Sequence, residues 1–349
     1  MKRATLLSAA TPLAVAAAAA ILAVGDLNPP PGAVAETGKR LTEVEPRIAL
    51  NATNTPGDAN SVYKIVPSGS YYLTGNLFVG VGKHGIEIAN DHVSIDLNGF
   101  EISGGLGSLD GIVGSGSGHS VRNGSIHGLG GDGFDFVSGL PNVGTVEDLK
   151  VYSNTGNGIA CYDNFVIRNC VVRSVGGNGI SVYYGGSVTD CVVNYCDIAG
   201  IDAAQSVVIS NCSSNYTVVG IDASSACRVL GCTTVFNPGD GIRVGSDAFI
   251  QGNLCDSNGH NGDGAGIHAL SSDARIEGNS CTDNDRGIDI EFAGNFVTRN
   301  TCGGNTTNWD IIAGNAVGPI VLTSASAAIL GNTGASSLGS SDSNANFTF

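Results

Sequence analysis

Charge and long flexible side chains are what this sequence has least of. Charged residues make up 13% of its 349 positions, about half the usual share. Only 5 are Lys, and there is one Met. A solvated helix face draws on Lys, Glu, Arg and Gln, so long surface helices are not expected. Beyond Val24 no stretch is apolar for long enough to span a bilayer. Cys-x-x-Cys and Cys-x-x-His spacings are absent, which speaks against zinc. Positive charge is scarce as well: 16 Lys and Arg face 31 Asp and Glu, a net charge of −15. Such a surface repels nucleic acid and anionic membrane. A polyanionic substrate would need a bridging cation, whereas a neutral glycan would not.

Glycine, at 52 residues, and a 42% apolar fraction are what the chain has instead. Together with many Asn, Ser and Thr, they read as short strands joined by tight turns. The first 35 residues read as a signal peptide. Met1-Lys2-Arg3 is basic, an apolar run covers Ala4 to Val24, and Ala33-Val34-Ala35 fits a cleavage site; an uncleaved anchor is the alternative. The expected location is secreted, periplasmic or on the cell surface, with no membrane contact after cleavage and with the chain a monomer.

A repeat decides the fold. Gly-Ile recurs at Gly158, Gly179, Gly200, Gly220 and Gly241, in steps of 21, 21, 20 and 21. The step to Gly266 is 25, through an insertion around His260–Gly264, and the step to Gly287 is 21 again. A second column holds Ile167, Val188, Ile209, Val229, Ile250, Ile276 and Val297. A third holds Cys170, Cys191, Cys212 and Cys232, then Asn253, Asn279 and Asn300. The pieces between alternate apolar and polar, which is strand periodicity. Stacked in register, such units make an all-β, single-stranded right-handed parallel β-helix of about ten coils. Residues 79–315 are assigned to the coils, 36–78 to a lead-in strand and cap, and 316–349 to a loosely packed tail rich in Ser, Ala and Gly. Ten Cys is an even number for an exported chain, but columns suit buried thiols better than bridges; bridges stay open. The Asn column reads as a stacked amide ladder.

Three features carry a resemblance. Gly69-Ser70-Tyr71-Tyr72-Leu73-Thr74-Gly75-Asn76, Ile95-Asp96-Leu97-Asn98-Gly99-Phe100 and the Gly-Asn-Gly-Ile and Gly-Asp-Gly-Ile coils resemble exported bacterial right-handed β-helix repeat proteins. The wider pectate-lyase-like superfamily is similar in fold and includes lyases, glycoside hydrolases, epimerases, esterases and non-catalytic members. By analogy the resemblance implies a carbohydrate connection. The catalytic blocks of that superfamily do not carry over. Asn154-Thr155-Gly156 lacks the Asp of a polygalacturonase block, and Gly118-His119-Ser120 lacks its second Gly. The Arg-x-Pro-x-x-Arg block of pectate lyases and the Asp-Pro-His signature of alginate epimerases are absent.

The position after each Gly-Ile is the most informative for chemistry. If Ile points inward, its successor points out. Asp202, Asp222, Arg243, His268 and Asp289 are then one outward row, about 5 Å apart from coil to coil, and form the candidate catalytic set. Neighbouring carboxylates repel, so one could keep a proton and act as general acid. His268 could act as base and Arg243 could neutralise developing charge. The competing reading is a solvated polar strip of little energetic weight. Gly130-Gly131-Asp132-Gly133-Phe134-Asp135-Phe136 matches a calcium-roll repeat over seven residues. Calcium at Asp132 and Asp135 is the one cofactor raised, against ordinary turn chemistry. The functional expectation is an exported protein that binds a polysaccharide and, in its enzyme form, processes it as a lyase or glycoside hydrolase. The alternative is a non-catalytic structural or surface rod.

Overall fold

The computed structural model describes residues 46–136, 143–260, 262–323 and 338–349. Arg47–Phe349 form one compact unit. The expected signal peptide lies outside the described residues. Those residues form strands and turns, with no helix.

Every coil follows one plan. In the coil that starts at Ala199, a strand runs over Ala199–Gln205, a second over Val208–Ser210 and a third over Ser213–Asn215. Single left-handed residues make the corners: Ser206, Asn211 and Tyr216, with φ of 58°, 54° and 55°. A non-glycine residue in that region costs about 1–2 kcal/mol, so the corners are held by stacking against the coils above and below. First strands build a 12-stranded parallel sheet, and second and third strands build a 24-stranded sheet that wraps the other faces. The 12-stranded sheet begins at Ser61–Ile65 and ends at Thr307–Ile311. Regular coiling therefore starts inside the stretch assigned to the lead-in and cap, and there is somewhat more of it than ten coils.

The Gly-Ile signal has a steric cause. Ile159, Ile180, Ile201, Ile221 and Ile242 pair in register and are fully buried. Each is preceded by a glycine at the point where the strand presses on the next coil. A Cβ on Gly179 would sit 2.6 Å from Gly200 O, and one on Gly200 would sit 2.8 Å from Gly220 O. Any side chain there would force neighbouring coils apart. Filling the bore with such Ile side chains stabilises each coil by about 1.5–3 kcal/mol per residue.

The third column is one structure in two chemistries. Asn253 Nδ2 donates to Val229 O at 3.0 Å and to Asn279 Oδ1 at 2.9 Å. Asn279 repeats this toward Ile250 O and Asn300 Oδ1. Cys232 Sγ reaches the equivalent carbonyl, Ile209 O, at 3.8 Å, and Cys191 Sγ reaches Ile167 O at 3.9 Å. All ten cysteines are buried and unpaired. Burial pushes the Cys196 thiol up to about 12 and raises Cys161 and Cys227.

One segment of the stretch assigned to the tail is paired. Asn346–Thr348 returns as a strand beside Thr301–Gly303. Asn346 is fully buried, and its Oδ1 accepts the N–H of Asn300 at 2.9 Å. The amide ladder thus gains its last rung from residues far beyond the period.

Candidate active site

Sheet register puts the expected row together. Along the 12-stranded sheet, Ser181 pairs with Asp202, Asp202 with Asp222, Asp222 with Arg243, Arg243 with His268, and His268 with Asp289. Asp310 extends it by one coil. Strand alternation sends the flanking Ile and Ala side chains into the bore and these side chains out. The row is half-buried, and Asp289 is nearly covered.

The two leading carboxylates do not work as a facing pair. Asp202 Oδ2 accepts from Ser181 Oγ at 3.0 Å and from Asn178 Nδ2 at 3.1 Å, both on the preceding coil. Asp222 leans the other way, onto Arg243 of the following coil. Burial raises the Asp202 pKa, and the charge of Asp222 adds a smaller push. Repulsion between the two, the cause expected from sequence, is therefore secondary to desolvation.

His268 is the centre of the second half. Its Nδ1 lies 3.1 Å from Asp240 Oδ2. Its Nε2 lies 3.1 Å from Glu291 Oε1 and 3.7 Å from Asp289 Oδ2. Burial works against the imidazolium, but the bonds and charges of these carboxylates outweigh it, and the His268 pKa is raised. Burial likewise raises Asp289. Arg286 bridges Asp289 Oδ2 at 3.1 Å to Asp263 Oδ1 at 2.8 Å, and its Nε is 3.3 Å from Asp310. Asp263 belongs to the insertion, so that loop rises beside the row and is tied to it. The insertion also sends His260 against the ring of Phe236.

Asp240, Arg286, Glu291 and Asn178 were missed in the sequence. A signal existed for Asp240, which holds the same register as Asp132, two residues before the inward apolar side chain. Both cap the next coil: Asp132 Oδ1 accepts the N–H of Asn157 at 2.7 Å, and Asp240 Oδ1 accepts the N–H of Ala265 at 2.9 Å. The difference is the neighbour. Asn157 has an amide that takes the second oxygen of Asp132 at 3.0 Å. Ala265 has none, so the second oxygen of Asp240 is left for His268. Burial raises the Asp132 pKa. Asp135 stands in the outward row opposite Ala160. Among the described residues no group of three or more His, Cys, Asp or Glu is placed to hold a metal ion.

Residues 64–214 match the family model described as right handed beta helix region. The fold is a right-handed parallel β-helix. No curated protein matches the chain. Among solved structures this β-helix is similar to the A-module of mannuronan C-5 epimerase AlgE6 from Azotobacter vinelandii. The identity is 15%, over 71% of this chain and 89% of that one, with a TM-score of 0.51. It is also similar to the AlgE4 A-module of the same organism, at 17% identity over 68% and 73% of the two chains and a TM-score of 0.47. A third is the tailspike gp49 of Acinetobacter baumannii bacteriophage Fri1, a capsular polysaccharide depolymerase, at 14% identity over 67% and 53% and a TM-score of 0.42. At these identities the likeness speaks to the fold alone.

Proposed function

We propose that this β-helix binds a polysaccharide along the outward face of its 12-stranded sheet and processes it by proton transfer at His268. One observation carries the reading. His268 is fixed through Nδ1 by a buried carboxylate, while Nε2 faces a half-exposed one, Glu291. A substrate hydroxyl or glycosidic oxygen can take the place of Glu291, and the carboxylates keep the imidazolium charged as a proton donor. Asp289, 3.7 Å from Nε2, supplies the carboxylate that completes an acid–base pair with the imidazolium. Around His268 and Arg286 stand five carboxylates, Asp240, Asp263, Asp289, Glu291 and Asp310. That excess of negative charge favours a neutral glycan over a polyanionic one. In this reading residues 1–35 send the chain out of the cytoplasm, where such polymers are met.

The experiment is turnover of a panel of neutral and acidic polysaccharides by the purified chain, with and without calcium, beside His268→Gln. Product release by the native chain and none by the variant supports the reading. Turnover that survives the variant removes His268 from it. A second reading, a non-catalytic rod, is favoured by the Asp222–Arg243 pair and the Asp202 bonds, which leave that half of the row satisfied by itself. Failure of the whole panel would leave the rod standing.

A further inference from the structure

Positive charge is scarce on this protein, and most described Arg side chains hold a carboxylate, as Arg243 holds Asp222 and Arg286 holds Asp289. Lys150 and Arg173 hold none among the described residues. They stand on adjacent strands of the 24-stranded sheet, Val143–Tyr152 and Val171–Val175. Lys150 registers with Val171, and Tyr152 with Arg173, so the two cations are diagonal neighbours on one outward face.

That face opens into a cleft of about 370 Å³ lined by Lys150, Tyr152, Ser153, Val171, Arg173 and Ser174. A second well of about 480 Å³ shares Ser153 and Ser174 and runs on to Tyr195 and Asp197. The cause lies in one corner column. At Tyr195, Tyr216 and Phe236 this column carries stacked rings, with centroids 4.9 and 5.4 Å apart. At positions 153 and 174 it carries Ser in the same left-handed conformation. Two rings are missing from the stack, and the gap is the cleft. One wall is Tyr152, backed on its far side by His127 at 4.6 Å. The other is the end of the ring stack, where the Arg173 guanidinium lies 5.1 Å from the Tyr195 centroid.

We propose that this cleft is a second glycan site, separate from the His268 row, and that it takes a carboxylate-bearing sugar unit. Lys150 and Arg173 hold the carboxylate, with the guanidinium giving directed bonds and the ammonium a point charge. The ring face of Tyr152 covers the C–H side of the sugar. Ser153 and Ser174 bond its hydroxyls. Asp197, in the far well, repels the carboxylate toward the cationic end and so sets the orientation.

The test is affinity electrophoresis of the full chain through gels containing polygalacturonate or dextran, in EDTA and at two salt concentrations. The native chain should be retarded by polygalacturonate and not by dextran, and the retardation should weaken with salt. Lys150→Gln/Arg173→Gln should lose at least tenfold in affinity, Tyr152→Ala should lose part of it, and Arg299→Gln, which removes a cation paired with Glu277, should lose none. Thermal midpoints within about 2–4 °C of native confirm intact folds for these surface changes. Equal retardation of the native chain and the double variant overturns the proposal, as does an equal loss in Arg299→Gln or absence of retardation by polygalacturonate. Because the assay reads binding alone, a failed turnover panel leaves this result unaffected.

Discussion

Asp240 and His268 lie 28 residues apart in sequence and 3.1 Å apart in space, and the same carboxylate caps the strand that carries the histidine. One oxygen holds the N–H of Ala265 and the other holds Nδ1. The proton donor is thus aligned by the group that starts its own strand. Asp240→Asn should keep the cap and lose the charge. In an NMR titration His268 should ionise above the ordinary histidine value of about 6.5 in the native chain, and lower in the variant. An unchanged titration would show that Asp240 does not hold the imidazolium.

The same shift has a consequence for stability. A histidine whose pKa is raised by folding contributes stability that is fully present below its unfolded value and is lost as pH rises through the folded one. Unfolding free energy should therefore fall as pH climbs above about 6.5, through the raised pKa of His268. His268→Gln should remove that part of the slope. Denaturant titrations at a series of pH values would measure it, and parallel curves for native and variant would contradict it.

Asp222 offers a cleaner test of the row. It is half-buried and pairs with Arg243, so Asp222→Asn keeps the shape and removes the charge. With the chemistry placed at His268, glycan-degrading activity should survive and the thermal midpoint should stay within about 2–4 °C of native. Abolished activity in the variant would extend the chemistry to the Asp222 half.

The thiols should be inert in the folded chain and free in the unfolded one. All ten are buried and unpaired, out of reach of a reagent while the coils stay closed. Alkylation without reductant should label none of the native cysteines and all ten after denaturation, read by mass. Protection that survives denaturation would mean bridges between coils.

Removing the last rung should cost more than a tail would. Asn346→Ala leaves the buried N–H and Nδ2 of Asn300 without their acceptor, a loss of about 1–3 kcal/mol. Slow hydrogen exchange at Asn300 should speed up in the variant. No change would show that the returning strand is an ornament.

Much of this was legible in the residues. Gly-Ile marks the bore because no Cβ fits between coils, and alternation then delivers Asp202, Asp222, Arg243, His268 and Asp289 to one face. What could not be read was how those side chains lean. Asp202 turns back to Ser181 and Asp222 forward to Arg243, which depends on rotamers and on neighbours a period away. Asp240 was hidden because its register also holds purely structural groups such as Asp132, and the two differ only in what the next coil presents. Asn346 broke the period and so escaped it.

The change from thiol to amide along one column gives the rod a mechanical grain. Toward the C-terminal end each coil is clipped to the next by amide bonds of 2.9–3.2 Å. Nearer the middle the same position holds sulfur at 3.5–3.9 Å from its carbonyl. Under tension along the axis the junctions bear load in series, so the soft ones yield first. A pulled molecule should part among the coils of Cys170 to Cys232, leaving the Asn-bound end as a rigid remnant.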